Sequence, residues 1–389
     1  MTTLTNELIE SWANDPAAPV ALHLKQKLTS VECINENDRC IIYPPTYADI
    51  GYNIDTLSDG KKVALVDSVG SQANRMEPLF KSTSDKQEDW LVPQIQITLG
   101  DRKKRIKGKD SDIESPAGTA TATLSLLDLA HRSADAIVQS SGHLAVKVHN
   151  AFTRLRETGD ASELCAIAPT SLVFGVWDSR GSSSEKRPRL IRSIIRAWDV
   201  EVLHAAAQFN SVWKELDEDQ QKELQAEAKK QGKKLSTKGL ADAPGVFYKN
   251  SDRRILGGLL VNGGIERTVT VNLVALRGLQ GSDGPHGSET KKMRTYLLGL
   301  ALIAATAEMD MFLREGCHLR YDGEDQWMLV PRRGTPSEAK LQTQVFEAAA
   351  KEGASQFRAR WPKEMNYVFD VAEAKKLLAA REAEEQAPE

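Results

Sequence analysis

Residues 67–75, DSVGSQANR, crowd Ser68, Ser71, Gln72, Asn74 and Arg75 into a stretch with little apolar content. Serine and asparagine are poor interior helix residues because their side chains bond the backbone in competing conformations. Gly70 adds a cost of about 1 kcal/mol relative to alanine. A chain that accepts these costs gains something from them. Small hydroxyls, amides and one arginine at a helix N-terminus suit a phosphodiester chain, since the free N–H groups of a first turn attract anions. A polar capping turn with no ligand fits the same composition equally well.

Residues 180–198 join a glycine-serine loop to Arg180, Lys186, Arg187, Arg189, Arg192 and Arg196, with Glu185 the lone acid. Guanidinium forks match phosphate oxygens better than ammonium groups do. The same charges would also guard a solvated strand edge. Residues 102–109 (RKKRIKGK) carry six basic side chains and no acid, and residues 229–238 form a third, lysine-rich tract. Together the three tracts point to an anionic polymer, each phosphate neutralised adding close to one unit to the salt slope of binding.

Catalytic groups are harder to assemble. No P-loop, GxSxG elbow or HExxH helix occurs, and no GxGxxG follows a strand. His131 and Asp135 would share one face of a helix, but no further ligand lies at readable spacing, so His131 and Arg132 are expected to face solvent or phosphate. No catalytic residue, cofactor or metal site is expected.

These groups need elements to position them. Spacing predicts a helix over 5–12, a strand over 18–31, and a short strand at 63–66 leading into a helix capped by Asp67 or Ser68 and closed near Pro78. A strand over 90–99 enters the first basic run. Apolar residues at helical spacing (Leu124, Leu127, Ala130, Ala134, Ile137) predict a helix over 119–140. Strands follow over 164–177 and 189–202, the second basic and β-branched. Residues 213–231 read as an exposed charged helix. Asn262-Gly263-Gly264 reads as a hairpin turn between strands 255–260 and 265–276. A loop over 278–289, a buried helix over 291–316 and a strand pair over 317–330 complete a core expected to be α+β. The alanine-rich residues 331–389 read as a helical extension.

Bulk properties set the context. The 389 residues are 41% hydrophobic and 27% charged, an ordinary balance for a folded chain. Four scattered cysteines without ligand spacing imply reduced, buried thiols. The N-terminal residues lack the apolar core of a secretory signal, and Glu308 and Asp310 disqualify the most apolar run as a membrane span, so a cytoplasmic location is expected. Net charge is only −3, yet acids and bases are segregated along the chain, which builds local fields.

Four segments taken together resemble a known family: DSVGSQANR after a short strand, LLDLAHRSADAI (126–137), LVFGVWDSRG (172–181) and RPRLIRSIIRAWDVEVL (187–203). They are similar, in that order, to the CRISPR-associated RAMP protein of type I-G (formerly I-U) systems, the Cas-seven-type backbone subunit of Cascade. The resemblance covers residues 29–330. It implies an RRM-like (ferredoxin-like) palm over 1–330 with finger and thumb insertions, and no catalytic activity. Residues 213–250 are the first choice for the thumb and 101–110 the second. It implies partners as well: CRISPR RNA, target DNA, further copies of the chain, and a large subunit and a Cas-five/Cas-six-type subunit of the complex. Ser68, Ser71, Gln72, Asn74 and Arg75 would lie along the RNA backbone, with His131, Arg132, Arg180, Lys186, Arg189 and Arg192. The alternative within the same superfamily is a metal-dependent ribonuclease that cuts target RNA, using Asp67 or His131.

Overall fold

The computed structural model describes residues 5–35, 38–47, 50–101, 121–177, 186–204, 212–233, 235, 240, 256–339, 341 and 343–385. The N-terminal helix α1 (Asn6–Asn14) precedes strand β1 (Ala21–Ser30). Leu22, Leu24, Gln26 and Leu28 of β1 are buried, while His23, Lys25 and Lys27 lie on the other face. That period-2 alternation makes one side of the sheet core and leaves the other wet.

Strand β2 (Lys62–Asp67) runs directly into helix α2 (Val69–Met76), and the Ser68 side chain accepts a hydrogen bond from the Ser71 N–H to close the first turn. Pro78 sits in a 3-10 turn (Glu77–Phe80) that ends the helix. Strands β3 (Ile191–Trp198), β4 (Val200–His204), β5 (Leu256–Val261) and β6 (Ile265–Asn272) form the heart of the molecule. The main sheet is antiparallel, ordered Met311–Arg314, Cys317–Tyr321, β1, β6, β3, β2, Ile54–Thr56. Gln326–Val330 pairs with the same edge of β1 as Cys317–Tyr321, so these two strands lie end to end along β1 rather than against each other.

The buried face of the sheet is covered by α2 and by the long helix α5 (Ser288–Thr306). Helix α3 (His143–Thr158) and helix α4 (Glu218–Lys230) precede it in the chain, and α6 (Thr343–Phe357) follows. Helix α6 presses Phe346, Ala350 and Ala354 into the core, where Gly299 and Gly353 let α5 and α6 approach closely. Among the described residues, no helix is long and apolar enough to cross a membrane.

Several sequence expectations are corrected. Residues 119–140 are not one helix: Thr121–Ser125 is a strand paired with Gln96–Asp101, followed by two 3-10 turns and the short helix Ala136–Gln139. Arg132, in the left-handed region at φ 54°, breaks the segment there, and Asp135 caps its restart. The leucines satisfy helical spacing because successive turns drop them into the same core. Residues 164–177 form helices Ser162–Ile167 and Pro169–Phe174 before the two-residue strand Val176–Trp177. Almost every side chain there is buried, so no periodicity could separate helix from strand. The strand expected over 90–99 starts only at Gln96 and runs on to Asp101, helix α3 replaces a segment with no expected element, and the helix expected over 291–316 stops at Thr306 before the strand Met311–Arg314.

Asn262-Gly263-Gly264 is no hairpin turn. The strands on either side of it join different partners: β6 pairs with β3, and β5 pairs with β4. The chain therefore builds one long bent ribbon, β3–β4 outward and β5–β6 back. Asp199 (φ 52°) forms the bend on one strand and residues 262–264 form it on the other. The Gly263 N–H donates to the Trp198 carbonyl at 2.9 Å, and a Cβ on Gly263 would lie 2.8 Å from that oxygen. The tip of this ribbon carries the candidate thumb, whose α4 opens on an Asp217 capping box and buries no residue. Replacing Gly263 by alanine (G263A) should overpack the bend and destabilise the fold by about 1–3 kcal/mol. Urea unfolding, with Asn262→Ala as the milder control, measures this.

Candidate nucleic-acid interface

The four segments singled out in the sequence close into a ring of hydrogen bonds. The Arg132 Nη2 donates to Asn74 Oδ1 at 3.2 Å and its Nη1 to the Gly175 carbonyl at 3.3 Å. The Val173 carbonyl accepts from the Leu190 N–H at 2.9 Å. The Ser193 hydroxyl then donates to Gln72 Oε1 at 2.7 Å, returning to the first segment. Residues more than a hundred positions apart are thereby held as one unit.

Two of the expected RNA contacts are inside the protein. Gln72 is fully buried; its amide donates to Asp67 Oδ2 at 2.6 Å and its oxygen also accepts from Arg267 Nε at 3.1 Å. Arg132 is 4% exposed and lies 2.7 Å from Glu77, with its guanidinium over the Phe174 ring. Neither side chain reaches a surface ligand, so both are corrected to positioning residues. Arg75 is half-buried and donates to Asp67 and to the carbonyls of Phe312 and Leu313, which ties α2 to the strand Met311–Arg314.

The remaining residues stay accessible. Ser68 and Ser71 are half-buried at the α2 N-terminus, and Asn74, His131, Lys186, Arg189 and Arg192 are exposed. Arg180 lies outside the described residues, as do the RKKRIKGK tract and most of residues 234–255. His131 sits in a turn rather than on a helix, and Asp135 is engaged in capping Ile137. Asp67 is 3% exposed and occupied by Gln72 and Arg75.

The sequence reading missed the open sheet face. Register places Arg192 opposite Thr270, which faces His23, and Arg196 opposite Glu266, which faces Lys27. The His23 ring nitrogen and Thr270 hydroxyl are 3.0 Å apart, and Lys25 pairs with Glu266 at 2.7 Å. Burial, then Lys25, lowers the His23 pKa. The alternation in ALHLKQKLTS was the available signal for Lys25 and Lys27. Only the pairing of β1 with β6, and β6 with β3, reveals that they share a face with Arg192 and Arg196.

Residues 24–202 match the family model described as CRISPR-associated protein GSU0053 (Cas_GSU0053). The match supports a CRISPR-associated protein. It takes in residues 67–75, the His131–Arg132 pair, and Lys186 through Arg192. No curated protein matches the chain.

Replacing Gln72 by leucine (Q72L) removes partners from the buried Arg267 and Asp67 together and should cost on the order of 3 kcal/mol in unfolding free energy. Asn74→Ala, on the exposed side of the same helix, should cost far less in the same urea titration. A pH signature accompanies Glu77. Burial outweighs Arg132 and raises its carboxyl to about 7. The folded state therefore binds the proton more tightly than the unfolded state. The stabilisation is complete below the ordinary carboxylate range and is lost as pH rises through about 7. Glu77→Gln should remove that decline from a series of unfolding curves between pH 4.5 and 7.5; an unchanged profile would refute the assignment.

Proposed function

We propose that the chain is a non-catalytic RNA-binding backbone subunit of a type I-G Cascade surveillance complex. Copies assemble as a helical filament along the CRISPR RNA spacer and present it to target DNA, with the large subunit and a Cas-five/Cas-six-type subunit completing the complex. The observation that carries this reading is the closed ring of the four segments, which gathers Asn74, His131, Arg189 and Arg192 around one buried frame. In such a complex the protein reads backbone shape and base pairing reads sequence, which asks for accessible cations on a rigid frame rather than a catalytic constellation.

The fold supports the palm reading. Strand Gln326–Val330, β1, β6 and β3 are neighbours in that order and antiparallel, with helical segments between β1 and β3 and again after β6. That order is compatible with the βαββαβ pattern of ferredoxin-like domains, with β2 added at the edge. The ribbon β3–β4/β5–β6 carries the thumb candidate beyond this sheet. A net charge of −3 is compatible with filament packing if acids on one copy meet bases on the next, leaving only the RNA groove positive.

Coexpression with a cognate CRISPR array should give protein that copurifies with RNA, read as a raised 260/280 nm absorbance ratio. A ratio typical of bare protein would overturn the proposal. Reversing Arg189 and Arg192 together (R189E, R192E) should weaken single-stranded RNA binding and lower the salt slope by about 0.7 for each phosphate no longer neutralised. Labelled target RNA held with the complex and magnesium should stay intact; cuts at fixed intervals would instead assign the ribonuclease activity.

A further inference from the structure

Trp177 stands apart from every other tryptophan in the described part of the chain. Its side chain is 61% exposed, whereas Trp12, Trp327 and Trp361 are buried and Trp90, Trp198 and Trp213 are partly covered. An indole is among the most valuable groups to bury, so a chain that leaves one in water has a use for it there. Two other exposed aromatics are engaged within the protein: Phe312 and His318 form an edge-on pair, and Tyr43 packs against Gly316.

The backbone that carries the ring is tied to the fold. Trp177 pairs with Lys186, and Val176 with Arg187, in a two-residue antiparallel ribbon. Val176 is buried, Arg187 Nη2 donates to the Leu155 carbonyl at 3.2 Å, and Leu190 is tied to Val173. Lys186 Nζ lies 5.7 Å from the indole centroid. Arg189, two residues beyond the ribbon and exposed, runs its side chain against Gly175, where any Cβ would meet its Cγ at 2.7 Å. Residues 186–198 contain no acid. Lys186 stands over one face of the indole, while the ring as a whole stays largely exposed. An exposed aromatic ring with cations beside it is what unpaired nucleotides use: the base stacks on the ring and the phosphates meet the charges.

We propose that Trp177 is a stacking platform for one unpaired base of a single-stranded nucleic acid, with Lys186 and Arg189 holding the flanking phosphates. The assignment rests on the RNA-binding reading above. It names an interaction that the basic segments do not supply, since stacking needs a π face and is insensitive to salt.

The test uses the full chain and fluorescence anisotropy with three probes: oligouridine, the same length of abasic RNA, and a fully paired RNA duplex. W177A should weaken oligouridine binding about five- to a hundredfold, W177F should recover much of that loss, and neither should alter the salt slope. The loss should shrink on abasic RNA and on duplex. Equal affinity of wild type and W177A for oligouridine overturns the platform while leaving the RNA-binding reading standing. So does an equal loss on all three probes. Absence of binding by the wild-type chain to any probe overturns both. If W177A binds RNA normally but loses self-association in sedimentation, the ring is a protein contact and the proposal is wrong. Circular dichroism of W177F and W177A controls for folding.

Discussion

Arg267 is the residue around which the rest is arranged. It lies on β6 in the middle of the sheet with no exposed surface, and burial lowers its pKa. A buried charge is costly unless every donor finds an acceptor. Here Nη1 donates to Gln26 of β1 at 2.6 Å, while Nε is shared between Gln72 of α2 and Ser193 of β3, both at 3.1 Å. The compensating carboxylates stand one step away: Gln26 donates to Asp325, and Gln72 donates to Asp67. Amides thus relay negative charge to an arginine that has no carboxylate in hydrogen-bond contact among the described residues. Such a network rigidifies a core only when all its members are satisfied. Moving α2 by a fraction of a turn would strand several groups at once.

This constraint sets the geometry of the candidate interface. Because Gln72 must face inward to serve Arg267, Asn74 is carried to the opposite side of α2, where it meets Arg132. Arg132 in turn adopts a left-handed backbone that few arginines accept, a strain tolerated because Glu77, Asn74, Gly175 and Phe174 all hold the side chain. The exposed cations then decorate a frame that is already fixed. Binding an extended polyanion on a preorganised surface avoids the ordering cost that flexible arms would incur.

The near-neutral total charge is consistent with this division of labour. The buried arginines Arg132 and Arg267 contribute to composition but not to the surface field, whereas Lys25, Lys27, Arg192 and Arg196 share one open sheet face with the acid Glu266 among them. Composition alone could not distinguish the two sets, since an arginine in a basic run and an arginine in a core have the same letter.

Local physics was legible wherever the determinants are close in the chain. The alternation of β1, the Ser68 cap, the basic β-branched β3 and the charged helix of the candidate thumb all follow from spacing and propensity, and each was placed within a few residues. Expectations failed where burial was complete or where the partner strand lay far away. Residues 164–177 have no exposed side to mark a period, and the leucines of 124–137 satisfy a helical template while folding as a strand and turns. Asn262-Gly263-Gly264 has hairpin chemistry, yet β5 and β6 bond to β4 and β3, partners that lie far away in the chain. By itself the sequence determined which residues are polar and clustered along the chain. Tertiary structure decided where they face, because packing put Gln72 and Arg132 inside the protein and left Asn74, Lys186, Arg189 and Arg192 facing water.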